Sequence, residues 1–151
     1  MRRATASAAC LALLGALVAG CSGDDVDPAE VDAWMSAREH AVEDALGQMS
    51  GRTGPQDGPA EPGIGTTMEF EEATPVAGVR LSCFGEDTLT FFVEVVDELG
   101  TGIRTTGVEH EVPCADGDYS ADVDNPEANA IRVDAYGAEH EGAWHAVILG
   151  D

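Results

Sequence analysis

Lysine is missing altogether from this chain. Its positive charge comes from 7 arginines set against 29 aspartates and glutamates, a formal net charge of −22 over 151 residues. A surface that negative repels phosphate backbones and anionic lipid headgroups alike, which excludes nucleic acid as a partner and keeps the protein surface off a bilayer. Also missing is an uninterrupted apolar run of the roughly 20 residues a membrane span needs; the longest, opening at Ala8, is broken by small residues before Cys21. There is no nucleophile elbow, no phosphate-cradling glycine loop, and no Ser/His/Asp set that can be chosen without guessing. Among so many carboxylates, a glycosidase pair would be an arbitrary choice.

What is present begins at the amino terminus. Arg2 and Arg3 form a positive region, residues 8–18 an apolar one, and Leu17-Val18-Ala19-Gly20-Cys21 leads directly into the acidic Ser22-Gly23-Asp24-Asp25. This stretch resembles the lipobox of bacterial lipoproteins. The resemblance implies that the Cys21 thiol takes a diacylglycerol, that the chain is cut before it, and that the new amino terminus is acylated in turn. Residues 1–20 then read as a signal peptide and 21–26 as a lipidated tether. The arginine pair lacks the remainder of a twin-arginine signal, so ordinary export is expected. Loss of Arg2 and Arg3 takes the charge from −22 to −24. The expected location is the extracytoplasmic face of the cell membrane, with the lipid bilayer itself engaged through the Cys21 anchor. Absence of lysine beside abundant alanine, glycine and arginine implies a GC-rich genome, because lysine codons are AT-rich. With its lipobox, acidic helix, Gly/Pro stretch, cysteine pair and closing Gly142-Ala143-Trp144 strand, the chain resembles the small lipoproteins of actinobacteria. That resemblance brings no catalytic residues with it.

Once Cys10 is removed with the signal and Cys21 is lipidated, Cys83 and Cys114 remain as a pair. The compartment beyond the membrane permits disulfides, and closing a loop of about 30 residues contributes about 3 to 4 kcal/mol in the chain-entropy treatment. Alternative readings are a metal-binding or redox thiol pair, but there is no C-x-x-C spacing and no histidine beside either cysteine.

The exported chain is long enough for one domain with a modest core. Asp27-Pro28-Ala29-Glu30 carries a capping carboxylate, proline at the first helical position and glutamate three residues on, a helix-start pattern. Val31, Trp34, Met35, Val42, Ala45, Leu46 and Met49 recur at helical spacing, so an amphipathic helix is expected over 27–50. With Arg38 as its one arginine, the helix does not suit lipid. Docking on its own domain comes first, with Trp34 and Met35 as core candidates, and a partner protein comes second. Residues 51–65 hold five glycines and three prolines without an apolar period and read as a linker of about 22 Å root-mean-square span. Residues 66–151 read as a disulfide-tied β domain, with strand patterns over 79–83, 88–96, 103–106, 108–112, 131–135 and 144–149. Phe92 and Val96, off the main apolar face of the second of these, call for cover, which the helix can supply. The expected class is mainly β: an antiparallel β-sandwich or open barrel of about six to eight short strands preceded by one amphipathic α-helix.

Two constellations carry candidate chemistry. In 116–127, Asp116, Asp118, Ser120, Asp124 and Glu127 fall at oxygen positions of a twelve-residue calcium loop, with Asp122 between them and Val123 at its apolar position. Ala121 stands where such a loop wants glycine, Pro126 is out of place, and neither flank reads as helix. An Asp-rich hairpin loop is the simpler explanation. Glu109-His110-Glu111 and Glu139-His140-Glu141, with His145, form the other. Strand alternation points His110 away from its neighbouring carboxylates. Histidines on neighbouring strands could meet at a transition metal, although 140–145 is one residue too long for H-E-x-x-H.

The function expected from all this is a binding or structural module at the cell envelope, without a cofactor, whose acidic surface favours a cationic envelope protein. The alternatives are a calcium-binding module using 116–127 and a small hydrolase with carboxylate chemistry. If Cys21 is the anchor, the exported protein fractionates with membranes and carries the mass of a lipid; Cys21→Ala should release it and remove that mass. A Cys21→Ala protein of unchanged mass and unchanged membrane association would overturn the lipobox reading.

Overall fold

The computed structural model describes residues 26–39, 45–59 and 61–150. The expected signal peptide, Cys21 and most of the expected tether, with His40, Val42 and the rest of 40–44, lie outside the described residues. Helix α1 spans Pro28–Glu39, and six strands follow: β1 Ala45–Thr53, β2 Thr66–Cys83, β3 Thr88–Leu99, β4 Gly102–Pro113, β5 Tyr119–Tyr136 and β6 Gly142–Leu149. They form one antiparallel sheet in the order β1-β6-β2-β5-β3-β4. The chain is therefore mainly β with one preceding helix, as its patterning predicts. Among the described residues no helix is long and apolar enough to cross a membrane.

Helix α1 starts where its cap sits. The Asp27 carboxylate accepts the Ala29 N–H at 2.9 Å, and the Asp27 carbonyl accepts from Glu30 and Val31, satisfying donors the first turn leaves open. Val31 is its buried residue. Trp34 and Met35 are half-buried rather than core; Trp34 meets Phe84 edge-on at 6.1 Å while the Arg38 guanidinium lies over its other side, 5.1 Å from the ring centre.

Strands β2 and β5, 18 residues each, turn the sheet into a two-layered body. Their mutual register shifts between Glu69 and Thr74, again before Val76 and again before Gly78. Extra residues at such bulges bend a strand and sharpen its twist. Beyond the bend each strand enters a second neighbourhood. The end of β2 pairs with both β5 and β6, while the end of β5 pairs with both β2 and β3. The inner faces of the two halves close on one core, with Val79, Leu81, Trp144, Ala146 and Ile148 from one and Phe91, Val93, Val95, Ile131, Val133 and Ala135 from the other. Phe91 and Trp144 meet across it edge to face, 6.2 Å between ring centres, a favoured aromatic geometry. The six strands are thus fewer and longer than a set of short ones, because two serve both layers.

The helix expected over 27–50 ends its described course at Glu39, and Ala45, Leu46 and Met49 belong to strand β1. The reason is long-range pairing with β6, in register from Ala45↔Leu149 to Thr53↔Gly142. Glycines make this possible. A Cβ on Gly51 would lie 2.7 Å from the Trp144 indole, and one on Gly47 would lie 2.4 Å from the Met68 methyl, so the apolar period of the segment is that of a strand whose small residues receive large neighbours. Residues 51–53 consequently leave the linker, and the β domain begins with β1 rather than at 66. The rest of the described linker is mostly exposed but touches the sheet at Gly63, whose N–H donates to Glu94 at 3.2 Å. It is this segment that reaches the outer face of β3, while α1 docks against β6. Phe92 fills the space above Gly107.

Two buried carboxylates are matched within the fold, as an uncompensated buried charge would be costly. Glu94, its side chain 3% exposed, accepts from Arg132 at 2.7 Å across the β3–β5 pair. Asp97 accepts from Arg104 Nε at 2.9 Å and Nη2 at 2.6 Å, and from Asn125 at 2.9 Å.

Cys83 and Cys114 are bridged, 4.8 Å between their Cα atoms, tying the end of β2 to the residue after β4. Both cysteines are buried in the shared core. Replacing Cys83 and Cys114 together by alanine should lower unfolding stability by about 2 to 5 kcal/mol, most of it through the unfolded chain. Denaturant titration measures this, and a midpoint unchanged from the oxidised protein would contradict it.

Candidate functional site

The strongest concentration of polar side chains around a buried titratable group lies on the outer face of β6, under the end of α1. His145 is 3% exposed and stands in register between Ser50 of β1 and Ser82 of β2. An open cleft of about 440 Å³ reaches it, lined by Glu39, Gln48, Met49, Ser50 and His145. Its hydrogen bonds define the imidazole. Gln48 Nε2 donates to the Glu39 carbonyl at 3.0 Å, which leaves Gln48 Oε1 facing His145 Nε2 at 3.2 Å. Nε2 therefore carries the proton, and in the neutral ring Nδ1 is the acceptor. Burial pushes the His145 pKa down, the Arg38 cation adds to this, and Asp118 and Glu39 oppose it. Arg38 in turn pairs with Asp118.

Serine, histidine and aspartate thus come close together here, yet their bonds are not those of a nucleophile and its base. The Nε2 proton goes to Gln48, and Asp118 is held by an arginine rather than by the imidazole. What the arrangement does is bracket the helix. It satisfies a carbonyl at the end of α1 and links that end to β1 and β6.

A second cleft, about 390 Å³, lies at the opposite end of α1 and is lined by Val26, Phe84, Gly85, Glu86, Asp87, His140 and Glu141. Asp87 accepts from His140 Nδ1 at 3.0 Å and from the backbone N–H groups of Glu139 and His140, each at 3.0 Å. Partial burial pulls the Asp87 carboxyl up, but these hydrogen bonds outweigh it and hold the pKa below its ordinary value. That direction suits a structural acceptor closing the β5–β6 connection; a general acid needs the reverse.

The three histidines weighed as metal ligands occupy different elements. His110 is on the edge strand β4 against the Tyr119 ring, 5.7 Å between centres, His140 is in the β5–β6 connection, and His145 is under α1. The proposed calcium ligands are dispersed as well. Asp116 closes the short 3₁₀ turn after Cys114, and Asp118 pairs with Arg38. Ser120, Asp122 and Glu127 are spread along β5, with Asp124 at a positive φ of 48° where the register with β2 shifts. Residues two apart on a strand share a face but stand roughly 7 Å apart along it, whereas a calcium loop wraps its oxygens around one point. Among the described residues no three His, Cys, Asp or Glu side chains gather as a metal-binding group. Sequence reading weighed His145 only as a metal ligand and passed over Gln48 and Ser50 altogether, since their meeting depends on the β1–β6 register.

No known protein family, curated protein or solved structure matches this chain.

The pKa of His110 is also pushed down by burial. With His145 and His110 both below the ordinary value of 6.5, the unfolded chain binds protons the folded one does not. Stability should therefore be full above that value and fall as the pH drops below it through the folded-state pKa values. Asp87 should add a further loss as the pH falls below its ordinary 3.8. Melting temperature followed from about pH 8 down to about pH 2 tests this, and His145→Gln should make the upper part of the decline shallower. Identical slopes in the two proteins would remove His145 from the explanation.

Proposed function

We propose that the protein is a lipid-anchored module on the extracytoplasmic face of the cell membrane that binds a cationic envelope protein. Its anchor is Cys21, and the domain acts by presenting an acidic surface. One observation carries the choice of partner. Of the five arginines among the described residues, Arg38, Arg52, Arg104 and Arg132 are each paired with a carboxylate of the same chain, namely Asp118, Asp32, Asp97 and Glu94. Cationic groups are thus spent within the fold, and the large excess of carboxylates is left to face outward. Such a surface speeds encounter with a positive partner and makes the association sensitive to salt.

The short tether bears on how the domain would stand. Val26 lies beside Phe84, Asp87 and His140, and the five residues from Cys21 to Val26 reach at most about 18 Å when fully extended. On this reading the end bearing the β2–β3 and β5–β6 connections is held near the bilayer, and the acidic sheet stands above it.

The test is recovery of partners on the full exported chain from a membrane extract at low and at high salt. The expected result is a basic protein retained at low salt and released as salt rises. Retention that ignores salt would overturn the electrostatic reading. A hydrolytic activity abolished by one carboxylate substitution would replace it with an enzymatic one.

A further inference from the structure

Strand β4 ends the sheet on the side of β3, and among the described residues it pairs with β3 alone. Ten of its twelve residues are exposed, on both faces; Val112 is its buried residue. Sheet edges are ordinarily blunted by lysine, proline, bulges or cover, because a free row of N–H and C=O groups invites another strand. Among the described residues those devices are missing from β4. The register with β3 runs without a shift from Thr88↔Pro113 to Leu99↔Gly102, lysine is absent, and proline comes only at the last position. The opposite edge, β1, carries a bulge between Ala45 and Gly47 and is largely half-buried.

Charge takes over the protective role. Glu109 and Glu111 project from one face of β4, and Arg104, the strand's one arginine, is turned back onto Asp97. The Tyr136 hydroxyl donates to Glu109 at 2.7 Å, fixing that carboxylate beside the edge. A second copy of the chain would bring the same carboxylates and the same net charge of −22, so self-pairing is opposed, whereas a basic strand would be drawn in.

We propose that β4 is a docking edge that takes an extended, basic segment of a partner protein as an added strand. The proposal rests on the reading of a cationic partner given above and names where and how that partner is held. Alternation sets the recognition pattern. Basic side chains two residues apart would lie opposite Glu109 and Glu111, and apolar ones would fall on the other face beside the exposed Val108, with main-chain hydrogen bonds supplying the continuous contact.

The probe is an end-capped peptide of about ten residues alternating lysine and valine, long enough to cover the strand, compared with the same peptide N-methylated at alternate residues. Both are titrated into the full exported chain, with affinity and amide hydrogen exchange as readouts. The plain peptide should bind and slow exchange across β4, and methylation should weaken binding by about tenfold or more, since it removes main-chain donors. Glu109→Lys with Glu111→Lys should also weaken it by about tenfold or more, as two attractive cross-strand pairs become repulsive. Glu71→Lys with Glu72→Lys, exposed on β2, should cost less than about threefold.

Equal losses from the two pairs of reversals would overturn the edge while leaving the cationic partner in place. So would equal binding of the methylated peptide. Failure of the plain peptide to bind, or a dimer of the chain joined through β4, would overturn the edge as well, and partner recovery at two salt concentrations decides the broader reading independently.

Discussion

The double bend in β2 and β5 is the constraint from which the rest of the molecule follows. A flat six-stranded sheet would leave one broad apolar face open to water. Bulges between Glu69 and Gly78 fold the sheet so that Leu81, Trp144 and Ile148 meet Phe91, Ile131 and Val133. The disulfide closes the same body near its edge, joining the end of β2 to the end of β4. Once the sheet has folded over, its outward faces are what remains for other work. One receives α1, another receives the Gly63 segment, and β4 extends past both.

Electrostatics divides along the same lines. Inside, each carboxylate that burial would penalise has a cation or an amide aimed at it, as at Glu94 and Asp97. Burial and Arg38 push the His145 pKa down, and its Nε2 faces Gln48, which holds the helix end. Each of these arginines neutralises one carboxylate and leaves the remaining acidic excess uncompensated. Internal order and external charge are therefore two results of one scarcity, the absence of lysine and the shortage of arginine.

How far the candidate sites could be read in advance depends on the range of the interactions that build them. The Asp27 cap and the strands β3 and β6 are written in local pattern and stand where that pattern puts them, while the separate patterns over 103–106 and 108–112 are one strand, β4, because pairing with β3 continues through Gly107. The 45–53 segment is ambiguous in local pattern because Ala45 and Met49 satisfy both a helical and a strand period, and the choice rests on Gly51 admitting Trp144 from 93 residues away. Spacing in 116–127 matched a calcium loop, but pairing with β2 stretches those residues into a strand. His145 gave no sign of its setting, since Ser50 and Gln48 reach it only through the β1–β6 register.

From the sequence alone come the acidic character, the mainly β class and the cysteine pair left over once a lipidated Cys21 is assumed. These depend on composition and on contacts along the chain. Tertiary structure alone decided that 45–53 pairs with the closing strand, that two long strands serve both layers, that four arginines pair with carboxylates of the same chain, and that among the described residues β4 pairs with β3 alone. Each of those is settled by residues far apart in the chain, where the energy of a neighbour across the sheet outweighs any local preference.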